Sequence, residues 1–262
     1  MADKVKLRIA AAVDKQSIGM PVEKLESFFG REMLHGAIIS YGARILKMVT
    51  KHPKTESTSA VKATATVITV LPGLKRCPWC ESFDAYRHYH DTEWGVPMRD
   101  DRALFEKLCL EAMQAGLSWA TILKKRDHFR VAFDGFDIPT LAKYGEPEVA
   151  RLLADPGIVR NRLKVRAVIA NAQALQLHFA KKNSFRDFLW SFVDGVTVHR
   201  HLGGRHQAIA QDASSQAMSK ALLARGFKFV GPTICYSLMQ STGMINDHFV
   251  DCFRFEELGG QR

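Results

Sequence analysis

Two short clusters of metal-capable side chains stand at opposite ends of the C-terminal two-thirds of this sequence: Cys77-x12-His90 and His248-x3-Cys252. One thiolate and one imidazole from each make a Cys2His2 set. That set closes a tetrahedral shell with no position left for substrate, so the ion is zinc and its role structural. The i, i+4 spacing predicts that His248 and Cys252 share one face of a helix. The metal would join segments about 160 residues apart, a loop closure costly in entropy without a strong contact. Cys80 leaves a second ligand set open, because C-x2-C is itself a frequent zinc half-site and Cys80 can stand in for His90. Cys77-Pro78-Trp79-Cys80 also matches a dithiol redox site superficially, but such sites follow a strand in a βαβ unit and nothing here supplies one. The bland reading is that these are ordinary buried cysteines and surface histidines.

The second residue that invites chemistry is Glu111. It follows Leu104 by seven residues and Leu108 by three, which puts a carboxylate on the apolar face of a helix. Burial there costs several kcal/mol unless the group has a partner or a task. Ala115-Gly116-Leu117-Ser118-Trp119 follows, with Gly116 expected to loosen the helix and Trp119 offering a large flat surface. Upstream, Tyr86, Tyr89 and Glu93 fall at i, i+3, i+7, with His90 and Trp94 nearby. Aromatic rings around one buried acceptor are what a pocket for a flipped nucleobase requires: the rings stack and the carboxylate accepts from an exocyclic amine. The plainer alternative makes the aromatics core and pairs Glu111 with an arginine.

The elements that must position these groups are helical. Asp100 and Asp101 start a helix carrying Leu104, Leu108, Ala112 and Ala115. Val165, Val168, Ile169, Ala172, Leu175 and Phe179 mark a second amphipathic helix, whose other side carries Arg160, Lys164 and Asn171. Asp212 opens a third, and Gly226 closes it as a C′ glycine. Phe229-Val230-Gly231-Pro232 then turns tightly, Pro232 starts the next helix, and Gly243 ends it. Such a hairpin turns backbone N–H groups near Gly231 outward, where a DNA phosphate can dock. The expected fold class is all-α.

The chain has 262 residues, 47% of them hydrophobic and 24% charged, with Lys and Arg exceeding Asp and Glu by 37 to 27. A net charge of +10 suits a polyanionic partner such as nucleic acid. No apolar run reaches the roughly 18 residues of a membrane span; Met33 to Val49 is interrupted by His35 and Arg44. Asp3 and Asp14 fit neither a secretory signal nor a transit peptide. Five cysteines at unlike spacings do not form a disulfide framework, which indicates a reducing compartment, cytoplasmic in a bacterium or nuclear in a eukaryote. Residues 1–73 hold no cysteine or tryptophan and read as an extension of unassigned role. Within it we expect helix around Val22 to Val49, a linker over about 51–65, and a short strand from Val67 to Leu71. Residues 74–262 form the functional domain.

Several longer runs resemble the bacterial-type 3-methyladenine DNA glycosylase I family. They are Tyr86-Arg-His-Tyr-His90-Asp-Thr-Glu-Trp94-Gly-Val-Pro97, Leu110-Glu111-x3-Ala115-Gly-Leu-Ser-Trp119 and Gly157-Ile-x-Arg160-x-Arg162-x-Lys164. Lys220-x4-Arg225-Gly-Phe-Lys-Phe-Val-Gly-Pro-Thr233-Ile-Cys-Tyr-Ser237 and Asn246-Asp-His248-x3-Cys252 complete the match, which covers roughly Lys75 to Cys252 and not the extension. The resemblance implies a helix–hairpin–helix glycosylase fold and a structural zinc on Cys77, His90, His248 and Cys252, favouring His90 over Cys80. It implies base recognition by Glu111, as the residue that selects and turns over the alkylated base, with Tyr86, Tyr89, Trp94 and Trp119 around it. Leu117 is the candidate wedge into the vacated stack. Arg160, Lys164, Val230, Gly231 and Thr233 are the candidate contacts to double-stranded DNA, bound by a monomer. Many relatives in the wider superfamily use an aspartate after the hairpin; Asp247 lies beside a zinc ligand and is not assigned that role. Monofunctional hydrolysis is expected, because no lysine stands among these pocket residues and Lys124 and Lys125 lie over a turn beyond Trp119. The rival class is a zinc-stabilised DNA-binding module without catalysis, and a buried Glu111 argues against it.

Overall fold

Several helices of this chain form where an apolar 3.6-residue period coincides with a side chain that caps the first turn. A computed structural model describes residues 73–179 and 184–261, all within the unit Ala65–Arg262. The helix, linker and strand expected before residue 73 lie outside the described residues.

The chain enters through a 3-10 turn at Pro78–Cys80 and helix α1, Asp84–Thr92. Helix α2, Asp101–Gln114, begins as the sequence predicts: Asp100 accepts the Ala103 N–H at 2.8 Å, satisfying one of the donors a helix start leaves free. It ends at Gln114, earlier than expected, and Gly116 follows in the left-handed region at φ +74°. Ser118 then caps α3, Trp119–Ala132, by accepting from Thr121. After α4, Ile138–Leu141, and α5, Glu146–Ala154, the long helix α6 runs Arg162–Phe179. A short α7, Phe185–Trp190, leads to strand β1, Val198–His199.

Helix α8, Ala213–Ala224, is capped by Asp212, which accepts from Ser215, and stops at Gly226 with φ +86°. Pro232 starts α9, Pro232–Ser241. Asn171 of α6 reaches the connection between them: its amide donates to the Lys228 carbonyl at 3.1 Å and its oxygen accepts the Lys228 N–H at 2.7 Å. Asn171 is therefore fully buried and fixes the hairpin, where the sequence placed it on the polar side of its helix. At the end of α9 a Cβ on Gly243 would sit 2.5 Å from the backbone nitrogen of Pro97, and φ is +74°, so only glycine fits. Strand β2, Ile245–Asn246, pairs parallel with β1, Val198 against Ile245, and the chain closes with α10, Phe253–Glu257.

Helix α2 packs against α3, α6 and α9, which makes it the axis of the core. Leu104, Phe105, Leu108 and Met113 are buried on it, each contributing about 2 kcal/mol. No helix among the described residues is long and apolar enough to cross a membrane.

Candidate active site and metal centre

Cys77, His90, His248 and Cys252 converge from chain segments up to 175 residues apart, and their ligand atoms lie within 4.8 Å of one another. Zinc bonds of about 2.3 Å to sulfur and 2.0–2.1 Å to nitrogen require sulfur–nitrogen edges of about 3.5 Å in a tetrahedron. Cys77 Sγ lies 3.6 Å from His248 Nδ1, and Cys252 Sγ lies 3.4 Å from His90 Nε2 and 3.5 Å from His248 Nδ1. The four side chains therefore fit the ion.

Their outer partners fit it too. His90 Nδ1 is 2.8 Å from Asp91 Oδ1, and Asp91 takes a two-pronged contact from Arg76. His248 Nε2 is 3.1 Å from the Trp94 carbonyl. The Phe249 N–H donates to Cys77 Sγ. Hydrogen bonding to Cys77, with His248 and His90 adding to it, holds the Cys252 thiol low. Cys80 stands outside the four and donates to the Cys77 carbonyl at 3.1 Å.

One expectation fails here. His248 and Cys252 do not share a helix. They sit in the turn between β2 and α10, which Phe249 pins by bridging to Leu202 and by accepting the Cys252 N–H at 2.8 Å. A turn brings i and i+4 together as effectively as a helix does.

Beside this cluster lies a cavity of about 520 Å³. Tyr86, Tyr89, Trp94, Glu111 and Trp119 all line it, as the sequence placed them. Trp94 joins the two sites: its ring lines the cavity and packs 4.5 Å from the His248 ring, centroid to centroid. Gly95 permits this approach, since a Cβ there would meet His248 Nε2 at 3.0 Å and its φ is +80°. The Tyr89 and Trp119 rings are 5.2 Å apart.

Glu111 is buried, with 3% of its surface exposed, and no arginine among the described residues pairs with it. Burial pushes its carboxyl up to about 7, while Lys107 and a hydrogen bond from Ser241 pull the other way. Glu93, in contrast, is turned to Arg126, whose guanidinium donates to it at 2.5 Å.

Sequence reasoning missed the rest of the wall. Trp79, hidden in the Cys-Pro-Trp-Cys motif, lines the cavity and packs against Tyr86 at 5.1 Å and Trp94 at 4.9 Å. Leu202, Arg205 and Phe249 come from the loops around β1 and β2, and Ser237 and Gln240 from one face of α9. Asp247 also lines the cavity, which its place beside His248 did not disclose. Its Oδ2 accepts from Tyr236 at 2.7 Å and Gln240 at 2.8 Å, and buried Oδ1 has no hydrogen-bond partner. The signal available for Gln240 and Ser237 was their i, i+3 spacing on a helix following the hairpin.

One lysine needs correction and another was not foreseen. Lys164 is no surface phosphate contact: it is 7% exposed, and its ammonium donates to the carbonyls of Met113 at 2.9 Å and Ala115 at 2.6 Å. It thereby satisfies the C-terminal carbonyls of α2 and holds the turn bearing Leu117, which is 44% exposed. No described lysine lines the cavity, as the sequence reading expects, but one lies behind its wall. Lys107 is buried, its Nζ 3.4 Å from Tyr89 Oη, 4.8 Å from the Tyr89 ring centre and 5.0 Å from that of Trp119. Among the remaining candidates, Arg160 and Thr233 are exposed, Gly231 is half-buried, and Val230 is fully buried, so Val230 offers at most its backbone.

Lys164→Met strands two carbonyls and is expected to cost about 1–3 kcal/mol in chemical denaturation. Its DNA affinity should keep the wild-type salt slope. Arg160→Ala should lower that slope by about one ion. A lowered slope in the lysine variant would return Lys164 to the DNA surface.

A family model described as methyladenine glycosylase matches residues 79–255. DNA-3-methyladenine glycosylase 1 of Escherichia coli K12 is 46% identical over 179 residues, covering 68% of this chain and 96% of that protein. DNA-3-methyladenine glycosylase of Haemophilus influenzae is 42% identical over 177 residues, covering 68% and 96%. A crystal structure of 3-methyladenine DNA glycosylase I superposes with a TM-score of 0.67 at 48% identity, over 68% of this chain and 98% of that one. A Staphylococcus aureus 3-methyladenine DNA glycosylase I, solved for its recognition of 3-methyladenine, gives 0.64 at 35% identity, over 68% and 95%.

Proposed function

The chain belongs to the methyladenine glycosylase family, and from that membership we propose that it excises 3-methyladenine from alkylated double-stranded DNA, leaving an abasic site. The observation that carries this reading is the buried Glu111 carboxyl in a cavity walled by Trp79, Tyr86, Tyr89, Trp94 and Trp119. A neutral apolar ligand has no use for that carboxyl. A cationic base with an exocyclic amine does.

Adenine alkylated at N3 carries a positive charge, so its glycosidic bond is weak before any protein touches it. The enzyme's task is selection. The aromatic faces favour the electron-poor base over neutral adenine. Glu111 accepts from its amine and offsets its charge. The C1′–N9 bond breaks with its electron pair going to the base, which departs neutral. Water adds a hydroxyl to C1′ and releases a proton. Leu117, exposed on the turn between α2 and α3, fills the vacated stack.

The α8–α9 pair serves as the hairpin of a helix–hairpin–helix fold. Pro232 has no N–H, so the Thr233 amide and its neighbours at the start of α9 meet phosphate, with Arg160 as a second contact. Zinc on Cys77, His90, His248 and Cys252 supplies only cross-linking, because four protein ligands leave no open position.

No lysine lines the cavity among the described residues, and Lys107 lies over the rings that do. The product is therefore an intact abasic strand. Incubation with methylated DNA should release 3-methyladenine, and the strand should break only after alkali. Borohydride should trap no protein–DNA adduct. Absence of released base defeats the proposal, and an adduct at a yield matching turnover defeats its monofunctional form.

A further inference from the structure

Lys107 lies behind the pocket wall, over the Tyr89 and Trp119 rings that line it, and this mechanism leaves it without a task. It precedes Glu111 by four residues on α2, so the two side chains share one helix face. The residue is 4% exposed, and its ammonium lies within 5.0 Å of the ring centres of Tyr89 and Trp119. A methionine would fill such a core position with no charge to desolvate. A buried lysine costs stability, and that cost points to a purpose.

The charges facing Lys107 come from three elements. Glu106 and Glu111 share its own helix, Glu93 follows α1, and Arg126 projects from α3. Glu93 is already matched by Arg126 at 2.5 Å, and Glu106 by Arg130 at 2.8 Å. Glu111 is left, and Lys107 is the cation that acts on it. Tyr89 crowds the same space, and its hydroxyl oxygen accepts from the Lys107 ammonium at 3.4 Å.

We propose that Lys107 is a positioning residue for base recognition: from beneath the Tyr89 and Trp119 rings it holds the Glu111 side chain as a carboxylate in the empty pocket. The inference rests on the reading of Glu111 as the acceptor for the base amine. A protonated Glu111 keeps only its carbonyl oxygen as a full acceptor for the exocyclic amine and carries no charge to offset that of the base. Burial alone drives Glu111 toward that form. A fixed ammonium one turn away opposes it without occupying the cavity. The same ammonium lies over the faces of Tyr89 and Trp119, a favourable contact that fixes both rings where the base must stack.

The test uses the full chain carrying 13C-labelled glutamate. The Glu111 carboxyl resonance is identified by its loss in Glu111→Gln and then titrated without substrate. In Lys107→Met its midpoint should rise by about 1 pH unit or more, while Lys107→Arg should stay near wild type. Single-turnover release of 3-methyladenine should lose its activity at correspondingly higher pH in Lys107→Met and rejoin wild type under alkaline conditions. An unmoved midpoint, or a rate lowered equally at every pH, overturns the proposal. If the methionine variant does not fold, Lys107→Gln is judged by the same criteria. The titration needs no substrate, so a wild-type protein that releases no base would sink the glycosylase reading while the carboxyl midpoint still decides the role of Lys107.

Discussion

Cys252→Ser is expected to lose its zinc and to lose stability with it, while Cys80→Ser keeps both. Cys252 is within 3.5 Å of both imidazoles, and a serine hydroxyl is a poor substitute for a thiolate. What fails is a cross-link: the cluster ties the segment at Cys77 and α1 to the turn after β2, contacts whose closure entropy would otherwise be unrecovered. Structural zinc in small domains carries about 10–16 kcal/mol of apparent binding energy at neutral pH. The hydrophobic core does not include the four ligands, so a loss of roughly 5 kcal/mol is expected, or on the order of 10–20 °C in Tm for a domain of this size. Cys80 only donates to the Cys77 carbonyl, a bond a serine reproduces. Metal content by mass spectrometry of the native protein, with thermal unfolding alongside, decides the matter. Equal metal loss in the two variants would put Cys80 in the ligand set.

Glu111 and the helix that bears it were legible because one local rule determined both. A 3.6-residue period fixed the buried face of α2, Asp100 marked its start, and a carboxylate in that face stood out as costly. The hairpin was legible for the same kind of reason, since Gly226 and Pro232 are demanded by backbone geometry rather than by distant contacts. The His248–Cys252 spacing was ambiguous: a helix and a tight turn both satisfy i, i+4, and the bridge from Phe249 to Leu202 selected the turn. Lys164 misled and Lys107 passed unread because residue type and position disagreed. Both stand on apolar faces, yet lysine ordinarily reaches water. Their ammonium groups are satisfied by the Met113 and Ala115 carbonyls in one case and by Tyr89, Trp119 and Glu111 in the other. Those partners follow from how α2 meets α6 and α1, which no local pattern encodes. The cavity's far wall, from Leu202, Arg205 and Asp247, was invisible for the same reason: it is assembled by the parallel β1–β2 pairing.

Glu111→Gln should make the protein more stable and the enzyme much slower. The substitution keeps the volume and removes the charge. Burial raises the Glu111 carboxyl from 4.5 to about 7, so the folded state binds this proton more tightly than the unfolded chain does. Stability from this group is then highest below pH 4.5, falls as pH rises toward 7, and stays at its lower value above. A shift of that size corresponds to at most about 3 kcal/mol, reduced by what Lys107 loses with its counter-ion. At pH 8 the glutamine variant should melt higher than wild type, and the advantage should shrink as the buffer is taken toward pH 5. Excision moves the other way. Losing a charge-assisted hydrogen bond in a desolvated pocket costs about 1.5–3 kcal/mol, which is roughly a tenfold to hundredfold slower release of 3-methyladenine. A structural glutamate would lower melting temperature and rate together when altered, and wild-type turnover would leave Glu111 no part in recognition. Only a functional carboxyl held in an unfavourable place gives a gain in one and a loss in the other.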